Sequence, residues 1–501
     1  MFIEPTPIAE ILVPLLPDIG LLIVLLLVLS IDLFTSGPSN RSLGVITAVG
    51  LLVVMAADLA VGFGLGAVNN PDFTGPALGG MLVYDQLSLI FRTAVLLGGS
   101  IAALISLNVE GLGRSGEYYA ILVAATLGLT LMAGAGDLMM VFLALETASI
   151  SLYVLAGFLR TNRQSTEAGI KYYLFGAFTS GLTLYGLSLL YGFSGTTNMY
   201  ALADPLGNLM ISGAAGQFNV IVALLLILVG FGFKISAVPF HFWTPDVYEG
   251  APTPVTAFVS TASKAASFAL LIRFFTVVWP PEAEFYWTLL LAVIAALTMT
   301  VGNVLALVQH NIKRMLAYSS VAQAGYALIG VVAMTQSPFG VAAVGFYMFM
   351  YVLTNLLAFS VVIAVNNQIG SDEIADYASL GWRSPYMAIA LVIALLSLAG
   401  IPPAAGFFGK FFLCAAAVDA GFTWLAVVCV LNAIVALYYY LTVIKVMFVD
   451  PNDDMSPVPV ALSYRTAMFI SGAIVLVLGF LAPPVFNWAL QASTELVARL
   501  P

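Results

Sequence analysis

The chain has 501 residues, 61% of them hydrophobic and only 8% charged, with a mean hydropathy of +1.04. That balance excludes a soluble globular domain and reads as an all-α polytopic protein of the lipid bilayer. The net charge of −9 rests on few groups and offers no basic surface for nucleic acid.

The opening MFIEPTPIAE has no basic segment of a cleavable signal, so the first apolar run is expected to remain as a span. Runs long enough to cross lie near 11–34, 43–66, 82–107, 117–135, 137–160, 166–193, 219–243, 253–279, 285–309, 312–334, 338–366, 384–415, 420–448 and 460–482. At the ~20 residues a bilayer demands, they predict about fourteen transmembrane helices. Arg41, Arg114, Arg160, Arg163, Lys313, Arg314, Arg383, Lys445 and Arg465 fall in alternate connections or at their edges. The positive-inside rule then puts both termini on the outer, periplasmic side. Arg273 and Arg499 are exceptions on the other face, and 244–252 is a basic-side connection with only Asp246 and Glu249 for charge.

The run 231–274 places Lys234 and Lys264 in apolar surroundings, and a cation at mid-membrane disfavours insertion by roughly 2.5–3.5 kcal/mol. Pro239 is expected to end a half-helix near Ile235, freeing carbonyls that face the Lys234 ammonium. A second lysine-bearing interruption is LAGIPPAAGFFGKFFLCA, 398–415, in which Lys410 follows Pro402 and Pro403. Paired broken helices five spans apart point to two inverted five-helix repeats, with the working site at their interface. The expected divisions are 1–116, a first repeat 117–279, a second repeat 285–448 and a C-terminal segment 449–501, which includes one further helix and a short tail.

Glu146 is about nine residues into its helix, hence ~14 Å deep, and is the one obvious deep carboxylate. It is expected either to be neutral or to pair with Lys234, in a structural ion pair or in a relay. Thr256, Ser260 and Ser267 share a face with Lys264, as a polar lining or as helix-packing residues. Lysine, unlike arginine, releases its proton when desolvated, which suits proton relay. Lys171, near a helix end, either snorkels or takes part. His241, just after the first break, and His310, at a helix boundary, are candidates for proton exchange. Tyr326, Tyr347, Tyr351 and Asn355 are candidates to hold water between the charges, or to pack. Cys414 and Cys429 lack CxxC or Cys-His spacing, and no dinucleotide fingerprint follows a strand, so no metal or redox cofactor is expected in this chain.

FKISAVPFHFWTPDVYEGAPTPVTAFVSTASKAASF, STEAGIKYYLFGAFTSGLTLYGLSLLYG, NIKRMLAYSSVAQAGY and LAGIPPAAGFFGKF resemble the antiporter-like, proton-pumping N-type subunits of NADH-quinone oxidoreductase, respiratory complex I. The resemblance spans essentially the whole chain. It implies fourteen helices in two inverted repeats with helices seven and twelve broken, and a relay of Glu146, Lys234, Lys264 and Lys410. It also implies a bacterial plasma membrane, other membrane subunits as partners, and NADH, FMN, iron–sulfur clusters and quinone in partner subunits. A lysine on the second broken helix is similar to the N and L types. The short tail after about 482 lacks the lateral helix of the L type. The alternatives are a redox-independent cation/proton antiporter subunit, a ferredoxin/plastoquinone relative and a structural spacer. A sodium site wants converging oxygens, which a single deep carboxylate does not supply.

Overall fold

A computed structural model describes residues 8–34, 41–63, 76–337 and 339–498. The helices are α1 (Ile8–Phe34), α2 (Ser42–Gly62), α3 (Gln86–Ser106), α4 (Gly116–Ala133), α5 (Leu138–Ala156), α6 (Arg163–Ser194), α7 (Ala203–Ile211), α8 (Ala214–Ile235), α9 (Trp243–Gly250) and α10 (Thr253–Phe258). They continue with α11 (Lys264–Val277), α12 (Pro281–Leu307), α13 (Ile312–Ala333), α14 (Phe339–Ile369), α15 (Leu380–Arg383), α16 (Pro385–Ala399), α17 (Ala405–Asp419), α18 (Thr423–Phe448), α19 (Leu462–Phe480) and α20 (Ala482–Ala498). Among the described residues, thirteen spans are long and apolar enough to cross a membrane, α10 and α11 counting as one. The expected span at 384–415 is instead two helices of 15 residues each, α16 and α17, neither of them among the thirteen. The only sheet among the described residues is a two-residue antiparallel pairing of Pro76–Ala77 with Leu82–Val83.

The centre is built from α13, α14 and the α10–α11 span, which are almost wholly buried, whereas α1, α2, α6 and α18 turn much of their surface outward. Without a hydrophobic force between helices in lipid, close approach comes from small residues. A Cβ on Gly302 of α12 would lie 2.6 Å from the Ala322 backbone nitrogen of α13, and one on Gly325 would lie 2.6 Å from that of Met299.

Both interruptions follow from backbone chemistry. The α8 helix stops at Ile235, with Ser236 left-handed (φ 62°) and Pro239 next. The α16 helix stops at Ala399, with Gly400 left-handed (φ 88°) ahead of Pro402 and Pro403. A third irregularity is absent from the sequence reading: Val259–Ser263 forms a π-helical turn that delivers Lys264 at the start of α11.

Buried ion pairs tie distant segments together. Arg92 of α3 donates to Asp18 of α1 at 3.1 and 3.2 Å and to Asp58 of α2 at 3.1 Å. Asp58 also accepts from the Tyr84 hydroxyl at 3.0 Å. Glu146 is therefore not the only deep carboxylate, though both aspartates are committed to Arg92. Arg273, an exception to the charge rule, is fully buried and grips Asp85 at 2.7 and 2.8 Å and the Tyr200 hydroxyl at 2.9 Å. Its position reports a partner rather than a membrane side. Arg499 lies outside the described residues.

The expected tail is a helix. Trp488 of α20 donates to Gln86 of α3 at 2.8 Å, and α20 packs on α14 and α3. The polar insert after α6 likewise holds α7 and the short turn carrying Tyr200.

Candidate functional site: a buried lysine array

Lys264 is 1% exposed, and Lys234 and Lys410 are 7% exposed. Each ammonium is held by a different kind of acceptor. At the end of α8, Lys234 donates to the Ser149 hydroxyl of α5 at 2.5 Å and lies 5.6 Å from the Tyr153 ring centroid. Two of the half-helix carbonyls expected to face it are taken elsewhere: Phe233 O accepts from Ser236 N and from the Trp243 indole, and Gly232 O from Ala237 N.

Glu146 does not pair with Lys234. Its carboxylate accepts from Ser180 of α6 at 2.6 Å, and the residue is half-buried. Ser149, three positions on, stands on the same helix face and takes the ammonium instead. The expected ion pair is replaced by a hydroxyl-separated arrangement of Glu146, Ser180, Ser149 and Lys234. The buried Tyr153 hydroxyl lies close to Ser149 and Ser180 without a well-formed hydrogen bond to either. The Ser149 hydroxyl that receives the ammonium itself donates to the Leu145 backbone oxygen.

Lys264 donates to both the backbone oxygen and the hydroxyl of Ser320 on α13, each at 2.7 Å. The expected stripe beside it is buried. Ser260 accepts from Asn355 at 3.3 Å, and Asn355 donates to the Tyr351 hydroxyl at 2.9 Å. Thr256 and Ser267 instead bond backbone oxygens of Tyr248 and Ser263.

Lys410 shows the carbonyl capture expected of Lys234. It donates to the oxygen of Ala399, the last residue of α16, at 3.1 Å, and rests 4.4 Å from the Tyr326 ring centroid. The negative end of a half-helix and an aromatic face both favour a cation.

Helix α13 joins the second and third lysines. Ser320 holds Lys264, Gln323 donates to Leu398 O at 3.0 Å and to the Tyr440 hydroxyl at 3.2 Å, and Tyr326 lies under Lys410. Tyr347 donates to the Gln323 side-chain oxygen, and Tyr440 bonds Ser319 at 2.5 Å. At 3.6 residues per turn, steps of three carry this row about 120° around the helix, from the side of α11 to the side of α17. Leu398 and Ala399 are neighbours, so the end of α16 accepts from Gln323 through one carbonyl and from Lys410 through the next.

Lys171 is half-exposed at the basic side, bonded to Asp246 at 2.6 Å and Glu167 at 2.9 Å. Arg314 binds Asp246 at 3.1 Å and Glu249 at 2.6 Å. Partial burial works against the Asp246 charge, but hydrogen bonds from Lys171 and Arg314 outweigh it and hold the carboxyl below its ordinary range. The acidic connection that broke the charge pattern is thus neutralised by cations from α6 and α13. His241 is buried in the break with its Nδ1 unpartnered, as are the Ser236 and Thr244 hydroxyls. Buried polar groups of this kind are met by water. His310 is exposed at the basic end of α13.

Residues 135–436 match the family described as NADH:quinone oxidoreductase/Mrp antiporter, TM. The chain belongs to this family. Among members of the NADH:quinone oxidoreductase/Mrp antiporter family, it is 42% identical over 468 residues to an NADH-quinone oxidoreductase subunit N of Moorella thermoacetica, covering 93% of this chain and 94% of the relative. It is 44% identical to an NAD(P)H-quinone oxidoreductase subunit 2 of Trichormus variabilis, covering 89% and 83%. A chain of respiratory complex I from Thermus thermophilus, solved with bound aureothin, superposes with a TM-score of 0.76 at 34% identity, covering 94% of this chain and 98% of that one. A chain of the Mrp complex from Dietzia, at 21% identity and TM-score 0.82 over 97% of both chains, shares the fold.

Proposed function

We propose that this chain is a proton-translocating membrane-arm subunit of an NADH-quinone oxidoreductase, with Glu146, Lys234, Lys264 and Lys410 as its relay and no redox centre of its own. The carrying observation is the polar row on α13 between Lys264 and Lys410, Ser320 to Gln323 to Tyr326. A row of hydroxyl, amide and amine groups in an apolar core orders water, and lysines that lose protons on desolvation load and unload it. Electron donor, flavin, clusters and quinone belong to partner subunits, to which the lysine array is coupled through the membrane arm.

The alternating basic residues support a cytoplasmic basic side and periplasmic termini, in a bacterial plasma membrane. The two broken helices, each ending on a left-handed residue before proline, support inverted repeats at 117–279 and 285–448, flanked by 1–116 and 449–501. In the cycle, Glu146 tunes Lys234 through the intervening hydroxyls: a carboxylate favours the charged amine, and weakening that link favours release. A cation antiporter reading fits less well, because Glu146 is held by Ser180 while Asp18 and Asp58 are held by Arg92.

The test is Lys234→Ala and Glu146→Ala in the assembled complex. Both are expected to assemble and to keep NADH:ferricyanide electron input while losing quinone-coupled proton pumping. Normal pumping in both overturns the reading.

A further inference from the structure

An open crevice of about 650 Å³ enters the second half of the chain from the basic side. Its walls come from the ends of α12 and α18, the start of α13 and the turn Ile374–Tyr377, and it is lined by His310, Glu373, Asp450, Thr442, Ala306 and Tyr439. The mouth is charged and titratable. The depth is different: Tyr439 is 3% exposed and Ala306 1% exposed.

From that inner wall the hydrogen bonding continues. The Tyr439 hydroxyl donates to Asn303 Oδ1 at 3.0 Å, and Asn303 Nδ2 donates to the Tyr326 hydroxyl at 3.1 Å. The ring of Tyr326 carries the Lys410 ammonium. Asn303 is wholly buried and is itself fixed by Asn432 Oδ1 at 3.2 Å. Three polar side chains thus run from the inner wall of the crevice to the ring against which the buried amine rests. An amide does not carry protons, but one anchored like Asn303 holds two hydroxyls in line for water to pass between them.

We propose that this crevice is a second proton-uptake route that reloads Lys410 directly from the basic side, by way of Tyr439, Asn303 and Tyr326. The inference rests on the proton-translocation reading above and adds to it. Lys410 need not receive every proton along α13 from Lys264: once it has released its proton, it takes another from water ordered by Asn303 and Tyr326. His310, Glu373 and Asp450 gather protons at the mouth. Lys445, bound to Asp450 at 3.2 Å, and Lys313, bound to Asp372 at 2.9 Å, are the cations beside it.

The test uses the whole complex in inverted membrane vesicles, with Cys414→Ala and Cys429→Ala as background and Ala306→Cys in the deep wall. The probe is the cationic thiol reagent methanethiosulfonate ethyltrimethylammonium. The expected result is labelling of Ala306→Cys, a several-fold fall in the rate of NADH-driven proton uptake, and recovery with dithiothreitol. Asn303→Leu, which closes the link without a reagent, is expected to lower uptake similarly and to remove the reagent's further effect. Absence of labelling, labelling with unchanged uptake, or unchanged uptake in Asn303→Leu each overturns the route. Unmodified vesicles that oxidise NADH without moving protons overturn instead the reading on which the route rests.

Discussion

Lys410 Nζ lies 3.1 Å from the carbonyl oxygen of Ala399, eleven positions back across the break. That contact sets the side-chain amine against the carbonyl end of a terminated helix. The oxygen is one of the last four of α16, which have no intrahelical donor. An arginine in place of Lys410 keeps the charge and the donor but cannot give up its proton. Lys410→Arg is therefore expected to assemble and yet fail in pumping as completely as Lys410→Ala, measured as NADH-driven proton uptake in vesicles. Pumping retained by the arginine variant removes Lys410 from the relay.

The same break depends on Gly400. Its φ of 88° is open to glycine, and a Cβ there would stand 2.9 Å from the Lys410 Cδ. Gly400→Ala is expected to cost about 1–2 kcal/mol from the left-handed backbone alone and to displace the lysine stem. Reduced thermal stability of the complex together with slowed pumping is the expected outcome. A change in neither shows that the turn relaxes freely.

Ser149→Ala tests the hydroxyl-separated arrangement at the other end. It leaves the buried Lys234 ammonium without its acceptor at 2.5 Å, a loss of about 1–3 kcal/mol for the charged form, on the order of fivefold to a hundredfold toward the neutral amine. Proton uptake is expected to slow while NADH:ferricyanide activity is unchanged. If the variant pumps normally, Ser149 is a packing residue and Lys234 finds another partner.

These partners differ in how legible they were in the sequence. The lysines stood out because an ammonium in an apolar run needs a reason, and the breaks because proline and glycine dictate them. Ser149, Ser180 and Ser320 did not, since a serine in a membrane helix commonly bonds its own backbone, as Ser267 does with Ser263 O. Sequence does not say which hydroxyl reaches a neighbour. Arg92 and Arg273 were obscure for another reason. Their carboxylates lie 34 to 188 positions away, so pairing becomes visible only when α1 and α2 are packed on α3 for Arg92, and α11 on the start of α3 for Arg273. The row Ser320, Gln323, Tyr326 was present as polar residues at spacings of three, but the π turn that aims Lys264 at it left no such mark.

The Arg92 cluster predicts stability effects separable from pumping. Arg92→Leu strands Asp18 and Asp58 in an apolar core, and breaking a buried pair on one side costs roughly 3–5 kcal/mol. The amount of the subunit in membranes is expected to fall sharply. The triple variant Arg92→Leu, Asp18→Asn, Asp58→Asn removes every charge and is expected to regain much of that abundance. Failure of the triple variant to recover shows that the guanidinium, and not charge balance, organises the first three helices.

Gln323 is where the proposed relay and the fold are hardest to separate. Its amide donates to Leu398 O and Tyr440 and accepts from Tyr347, so it could simply fasten α13 to α14, α16 and α18. A packing role and a relay role diverge in Gln323→Leu, which keeps the volume but severs all three bonds. Three broken bonds in a packing role expose unpaired groups on three helices, so abundance falls and the surviving complexes pump normally. Interruption of the row predicts the reverse: normal abundance, intact electron input to ferricyanide, and proton uptake lost because Ser320 and Tyr326 no longer share an ordered polar neighbour. Gln323→Glu separates the cases again. It preserves an acceptor for Tyr347 but loses the donor to Leu398 O, and an added carboxylate between two lysines favours their charged forms. Uptake slower than in the native complex, at native abundance, is the outcome that identifies the side chain as part of the proton path.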